Sequence, residues 1–242
     1  MTGAPALIEV EGLAKSFTLH LRGGLVLPVV SGVSFSVHPG ECVALGGPSG
    51  VGKSSILKAA FGNYAADQGR IWVRDGDTRI DLASAAPRTV IELRRRVIGY
   101  VSQFLRVIPR VSARDVVATA ARDGGADESE ASATAERLLA RLNLPERLWS
   151  LPPSTFSGGE QQRVNIARGL AGRHAILLLD EPTASLDAEN SAAVVALITE
   201  RKRQGAAILG IFHDLPVREA LAERIIDVSA FAKASKPAGV AA

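Results

Sequence analysis

The sequence predicts an α/β fold with a mainly parallel core sheet, an antiparallel β subdomain and an inserted helical subdomain. Three observations carry this. A glycine-rich loop, Gly47-Pro48-Ser49-Gly50-Val51-Gly52-Lys53-Ser54, separates an apolar run from a helix-patterned segment. Two unbroken apolar runs, Ala175–Leu179 and Ala206–Phe212, end in polar residues, as strands buried on both faces of a parallel sheet do. From roughly Phe104 to Phe156 the texture changes to helix and loop.

In chain order, Leu7–Val10 and Val33–Val37 alternate apolar with polar residues, the mark of half-buried antiparallel strands. Gly23-Gly24 and Pro39-Gly40 supply turns around them. Cys42–Leu45 reads as a buried strand, and Ser55–Phe61 as a helix with Ile56, Leu57 and Ala60 on one side. Ile71–Asp77 has the pattern of a hairpin with an Asp-Gly turn, and Val97–Ser102 that of a strand ending at Gln103. Ala131, Ala135, Leu138, Leu139 and Leu142 fall on one helical face of the inserted lobe. Ser157 is placed to cap a helix reaching Leu170; Ala188–Arg203 reads as a further helix and Arg224–Val228 as a last strand. The expected organisation is one domain over 1–230, its core at 1–103 and 157–230, its helical subdomain at 104–156. The Ala/Lys/Pro-rich tail, 231–242, is expected to be disordered.

The totals exclude several classes. At 242 residues and 47% hydrophobic, the chain can bury a large core. A net charge of +3 is small, and Arg94-Arg95-Arg96 is the one tight basic run, better read as a solvated element end than as a nucleic-acid patch. The few aromatics do not interleave with basic residues, so no nucleic-acid partner is expected. Cys42 alone builds neither a disulfide nor a metal cage and suits a reducing compartment. With no signal-peptide pattern and no apolar stretch long enough to span a bilayer, a cytoplasmic location without direct membrane insertion is expected.

The loop at 47–54 matches G-x-x-x-x-G-K-[ST], the P-loop or Walker A pattern. Chance supplies that pattern in on the order of one chain in a hundred of this length. The glycines let successive backbone N–H groups curl around phosphate, and the following helix adds its positive N-terminal end. Lys53 is expected to reach the β- and γ-phosphates of ATP, with Ser54 on Mg²⁺ and Ser55 also at the nucleotide. Ile176–Asp180 then reads as a Walker B strand, with Asp180 holding Mg²⁺ through water and Glu181 orienting and deprotonating an attacking water.

Ser157-Gly158-Gly159-Glu160-Gln161-Gln162 matches the signature of the ATP-binding-cassette (ABC) ATPases, and the whole motif order resembles that family. The resemblance implies an ABC-type P-loop NTPase fold and assigns several further roles. Phe17 falls where the family stacks an aromatic ring on adenine, although on composition alone it reads as core. Gln103 matches the Q-loop that senses Mg²⁺ and the γ-phosphate. Ser185-Leu186-Asp187 matches the D-loop, and His213 the switch histidine; a histidine at a strand end otherwise reads as a structural hydrogen bonder. Ser157, Gly158, Gly159, Glu160 and Asp187 are thereby expected to act in trans, on ATP bound by a second ABC subunit in a homo- or heterodimer.

Within the family, residues 101–110, 144–149, 153–160 and 205–214 resemble the PhnL-type ATP-binding subunits of the bacterial carbon–phosphorus lyase system. That implies soluble carbon–phosphorus lyase subunits as partners and a part in an α-D-ribose 1-methylphosphonate 5-triphosphate synthase. Such an assembly joins the ribosyl triphosphate of ATP to a phosphonate during organic phosphonate catabolism. The alternative is the ATP-binding subunit of an ABC membrane transporter, with the same motifs and a permease as client. An ATP-binding scaffold without turnover fits less well, since Glu181 and His213 are both present. A phosphotransferase also fits less well, because the family's signature helix would cover the acceptor position.

Overall fold

A computed structural model describes residues 4–19, 24–105 and 109–232. Five strands, β3 (Cys42–Gly46), β6 (Ile98–Val101), β7 (Ile176–Asp180), β8 (Ala207–Ile211) and β9 (Arg224–Asp227), form a parallel sheet in the order β6-β7-β8-β3-β9. All residues of β3, β7 and β8 are buried, which is why their sequences run apolar without alternation. Connections between parallel strands need crossovers. The helices α1 (Lys53–Ala60), α2 (Pro87–Arg96), α5 (Gly158–Ala171), α6 (Ala188–Arg203) and α7 (Leu215–Leu221) lie along those connections.

A second sheet is antiparallel, in the order β2-β1-β4-β5, built from β1 (Ile8–Leu19), β2 (Leu25–Val37), β4 (Gln68–Asp75) and β5 (Thr78–Asp81). Ile8, Val10, Ile71 and Val73 face inward, while Glu9 and Glu11 between them do not. This is the alternation of a sheet with one wet face. The β4–β5 turn is centred on Gly76-Asp77, since Asp75 pairs with Thr78. It lies one residue beyond the expected Asp-Gly pair because Gly76, with φ +59°, takes the first central position.

The helical subdomain comprises α3 (Ala113–Asp123), α4 (Glu128–Arg141) and two short 3-10 turns. Ser112 caps α3 by accepting from the Asp115 N–H, and Asp127 caps α4 by accepting from the Glu130 N–H. The expected face of Ala131, Ala135, Leu138, Leu139 and Leu142 is buried throughout. At about 1.5–3 kcal/mol for each fully buried large side chain, that face holds the lobe to the core.

Two hydrophobic clusters flank the parallel sheet, and successive residues of one strand go to different clusters. Leu177 and Leu179 join Cys42, Ala44, Ile208 and the helical subdomain. Ile176 and Leu178 join Val43, Leu45, Ala207, Leu209 and the antiparallel sheet.

Ordered backbone extends past the expected limit at 230. A 3-10 turn covers Val228–Phe231, and Ala232 bridges to Val30. Residues 233–242 lie outside the described residues.

Candidate nucleotide-binding site

The site is built where β3, β7 and β8 end. Leaving β3, the chain turns through Gly47 (φ +113°) and Gly52 (φ +110°), backbone angles a side chain resists. Gly52 is doubly constrained, because a Cβ there would come within 2.8 Å of both Val29 and Val30. Gly47 to Gly50 are exposed, whereas Lys53 is buried and donates to the carbonyls of Gly47 (2.8 Å) and Pro48 (2.9 Å). Ser55, half-buried, follows in the first turn of α1.

Ser54 and Asp180 meet although 126 residues separate them. The Ser54 hydroxyl donates to Asp180 Oδ1 at 3.2 Å, and Tyr100 OH donates to Asp180 Oδ2 at 3.1 Å. Asp180 is only 4% exposed, and burial raises its carboxyl above the usual range against the opposing effect of those two hydrogen bonds. Two hard oxygens at this spacing suit a small divalent cation that takes its other ligands from phosphate and water. Among the described residues no group of three or more His, Cys, Asp and Glu side chains forms a closed metal cage.

Glu181 follows at φ +53°, rare for a residue with a side chain, and its N–H donates to the Ile211 carbonyl of β8. Its carboxylate is held from both sides. His213 Nε2 lies 2.8 Å from Oε1, and Gln103 Nε2 donates to Oε2 at 3.1 Å. The order β6-β7-β8 produces this, since Gln103, Glu181 and His213 each follow the end of one of three adjacent strands.

The signature residues form a second group. The Ser157 hydroxyl accepts from the Glu160 N–H, and the Glu160 carboxylate accepts from the Ser157 N–H at 2.8 Å, a complete capping box opening α5. Those hydrogen bonds hold the Glu160 carboxyl below its usual range. Asp187 does the same work for α6, accepting from the Asn190 N–H at 2.8 Å. The two caps are neighbours, because a Cβ on Gly159 would lie 3.1 Å from the Ser185 carbonyl. Gly158 faces open space, with nothing within 4 Å of an added Cβ. Phe17, half-buried on β1, packs edge-on against Tyr64 at 5.1 Å, with the Lys15 ammonium 5.3 Å from its ring.

The structure thus brings residues 47–55, Gln103, Asp180, Glu181 and His213 to one sheet end. It sets 157–160 and Asp187 together as a separate group.

The family model described as ABC transporter matches residues 30–184. The chain belongs to the ABC transporter family. The lipoprotein-releasing system ATP-binding protein LolD of Maricaulis maris is 45% identical over 209 residues, covering 86% of this chain and 88% of that protein. The macrolide export ATP-binding/permease protein MacB of Marinobacter nauticus is 39% identical over 222 residues, 90% of this chain. This chain spans only about a third (33%) of that MacB relative. Among solved structures, the dimeric post-hydrolysis state of the ATP-binding cassette MJ0796, bound to ADP and Pi, superposes with a TM-score of 0.82 at 26% identity. It covers 92% of this chain and 95% of the other.

As an ABC cassette, the chain holds ties between the two groups that its sequence does not display. Gln162 of α5 donates to the Pro182 carbonyl just after Glu181, and Asn165 donates to the Ser102 carbonyl beside Gln103. Both side chains are buried, and buried amides in mid-helix are the one local signal of such ties. Tyr100, the partner of Asp180, carries none. No helix among the described residues is long and apolar enough to cross a membrane.

Proposed function

We propose that this chain is an ATP-binding, ATP-hydrolysing ABC subunit that acts as one half of a cassette dimer. The carrying observation is the Glu181 carboxylate, held by His213 and Gln103 next to Ser54 and Asp180. In this reading residues 47–55 cradle the phosphates, and Phe17 offers its ring to adenine. Ser54 and Asp180, with Gln103 nearby, hold Mg²⁺, which when bound neutralises charge on the phosphate oxygens. Glu181 orients water and takes its proton, and His213 steadies both Glu181 and the γ-phosphate. Exposed Gly158 and the N-terminal end of α5 face the nucleotide of the second subunit, so one chain alone has half of each site.

For the client, a membrane permease is favoured, since the MacB relative is an ATP-binding/permease protein and this chain matches about a third (33%) of it. A second reading rests on residues 101–110, 144–149, 153–160 and 205–214 and their resemblance to PhnL-type subunits. There the same ATPase serves soluble carbon–phosphorus lyase subunits that make ribose 1-phosphonate 5-triphosphate. Arg106, Val107 and Ile108 of the first stretch lie outside the described residues.

Glu181→Gln is expected to lower turnover by about 10²–10⁴-fold and to accumulate an ATP-bound dimer in size-exclusion chromatography. Wild-type turnover in that variant overturns the role given to Glu181, and fast hydrolysis that does not depend on protein concentration overturns the dimer. No hydrolysis by the wild-type chain at any concentration overturns the ATPase reading. Affinity purification of the tagged chain from cells grown on a phosphonate separates the clients. A permease in the detergent extract supports the first, and lyase subunits in the detergent-free fraction support the second.

A further inference from the structure

We infer that Tyr100 is the positioning residue for Asp180: its hydroxyl fixes which carboxylate oxygen is turned toward Ser54 and the metal. The inference rests on the ATPase reading above. A carboxylate attached through one soft torsion can present either oxygen, in a broad range of orientations. Here Oδ2 accepts from Tyr100 OH at 3.1 Å, which leaves Oδ1 on the side of the Ser54 hydroxyl, 3.2 Å away. Asp180 is 4% exposed, so water does not compete freely for Oδ2.

Tyr100 is itself held. Its ring stacks on Phe61 at 4.8 Å with an interplanar angle of 26°. The Arg94 guanidinium lies 4.7 Å from the other ring of that stack, and Arg94 Nε donates to the Phe61 carbonyl at 2.8 Å. The phenol is therefore aimed by α2 and the end of α1, elements outside the phosphate loop. Partners that orient a metal's ligands are worth about 10–100-fold in metal affinity.

Tyr100→Phe keeps the ring and its stack and removes only the hydroxyl. In the full chain, Mg²⁺ is titrated against a fixed concentration of a fluorescent ATP analogue, and thermal melting is recorded without metal. The expected result is a Mg²⁺ midpoint raised about 10–100-fold, with metal-free nucleotide binding unchanged. High Mg²⁺ is expected to restore turnover, which a packing defect would not allow. A midpoint within about twofold of wild type overturns the inference, as does a lower melting temperature with an unmoved midpoint. Failure of the parent reading is distinguishable, because the wild-type chain itself would then show no Mg²⁺-dependent nucleotide binding, and the inference would fall with it.

Discussion

Gly99 lies in the middle of β6, one residue before Tyr100, with α5 packed against it. A Cβ at this position would stand 2.7 Å from His174 Nδ1, 2.8 Å from Leu177 Cδ2 and 3.0 Å from the Gly169 carbonyl of α5. Ordinary carbon contacts fall at about 3.5–4.0 Å, so Gly99→Ala demands a retreat of at least about 0.5–0.8 Å on three sides at once. None of the three gives easily. His174 is buried, with Nε2 3.2 Å from the Arg95 carbonyl; Leu177 is fully buried; the third contact is helix backbone. Overpacking of this kind costs about 1–3 kcal/mol. For a chain of this size each kcal/mol moves Tm by about 2–4 °C, giving an expected fall of roughly 2–12 °C. Circular dichroism melting of the ligand-free protein measures it. An unchanged or raised Tm would refute the argument that α5 and β6 are in closest contact here.

Gly158→Ala is the opposite case. Open space surrounds its Cβ position and alanine favours helix, so ligand-free Tm is expected to hold or rise, while the ATP-trapped dimer of a Glu181→Gln background is lost. A double variant that still dimerises in size-exclusion chromatography would remove Gly158 from the dimer contact. Burial pushes the Cys42 thiol from 9.0 up to about 12. The unfolded chain therefore releases its thiol proton first, and this contribution to stability, full below about pH 9, is lost as pH rises toward 12. Denaturant titrations across that range are expected to show a decline that Cys42→Ala reduces; equal slopes in both proteins would contradict it.

What the sequence displayed and what it hid divide along physical lines. β3, β7 and β8 were legible because burial on both faces leaves an unbroken apolar run, and α6 because its helical pattern stops at the Gly205 break, where φ is +93°. The expected strands at 7–10 and 33–37 are pieces of longer ones. Register shifts at Val10/Leu13 and Leu13/Lys15 break the two-residue period on which their recognition depends. Helix α2 offered almost nothing: Leu93 is its one buried residue, and Ala86 caps it without a side-chain bond, leaving Pro87 as the start signal. In the site, Ser54 stood out through the P-loop pattern, Asp180 and Glu181 through their place at the end of an apolar strand, and His213 only through the family resemblance. Tyr100 did not, because its partner is 80 residues away and the contact depends on β6 lying beside β7.

The division of each central strand between two hydrophobic clusters bears on motion. The parallel sheet acts as a partition, with the helical subdomain's side chains on one side and the antiparallel sheet's on the other. Swinging the helical subdomain would therefore disturb side chains on its own side only, leaving those around β1 and β4 in place. One path from one side to the other runs along the strands to their ends, where Gln103, Glu181 and His213 stand; another is the ion pair of Arg95 on α2 with Asp123 on α3.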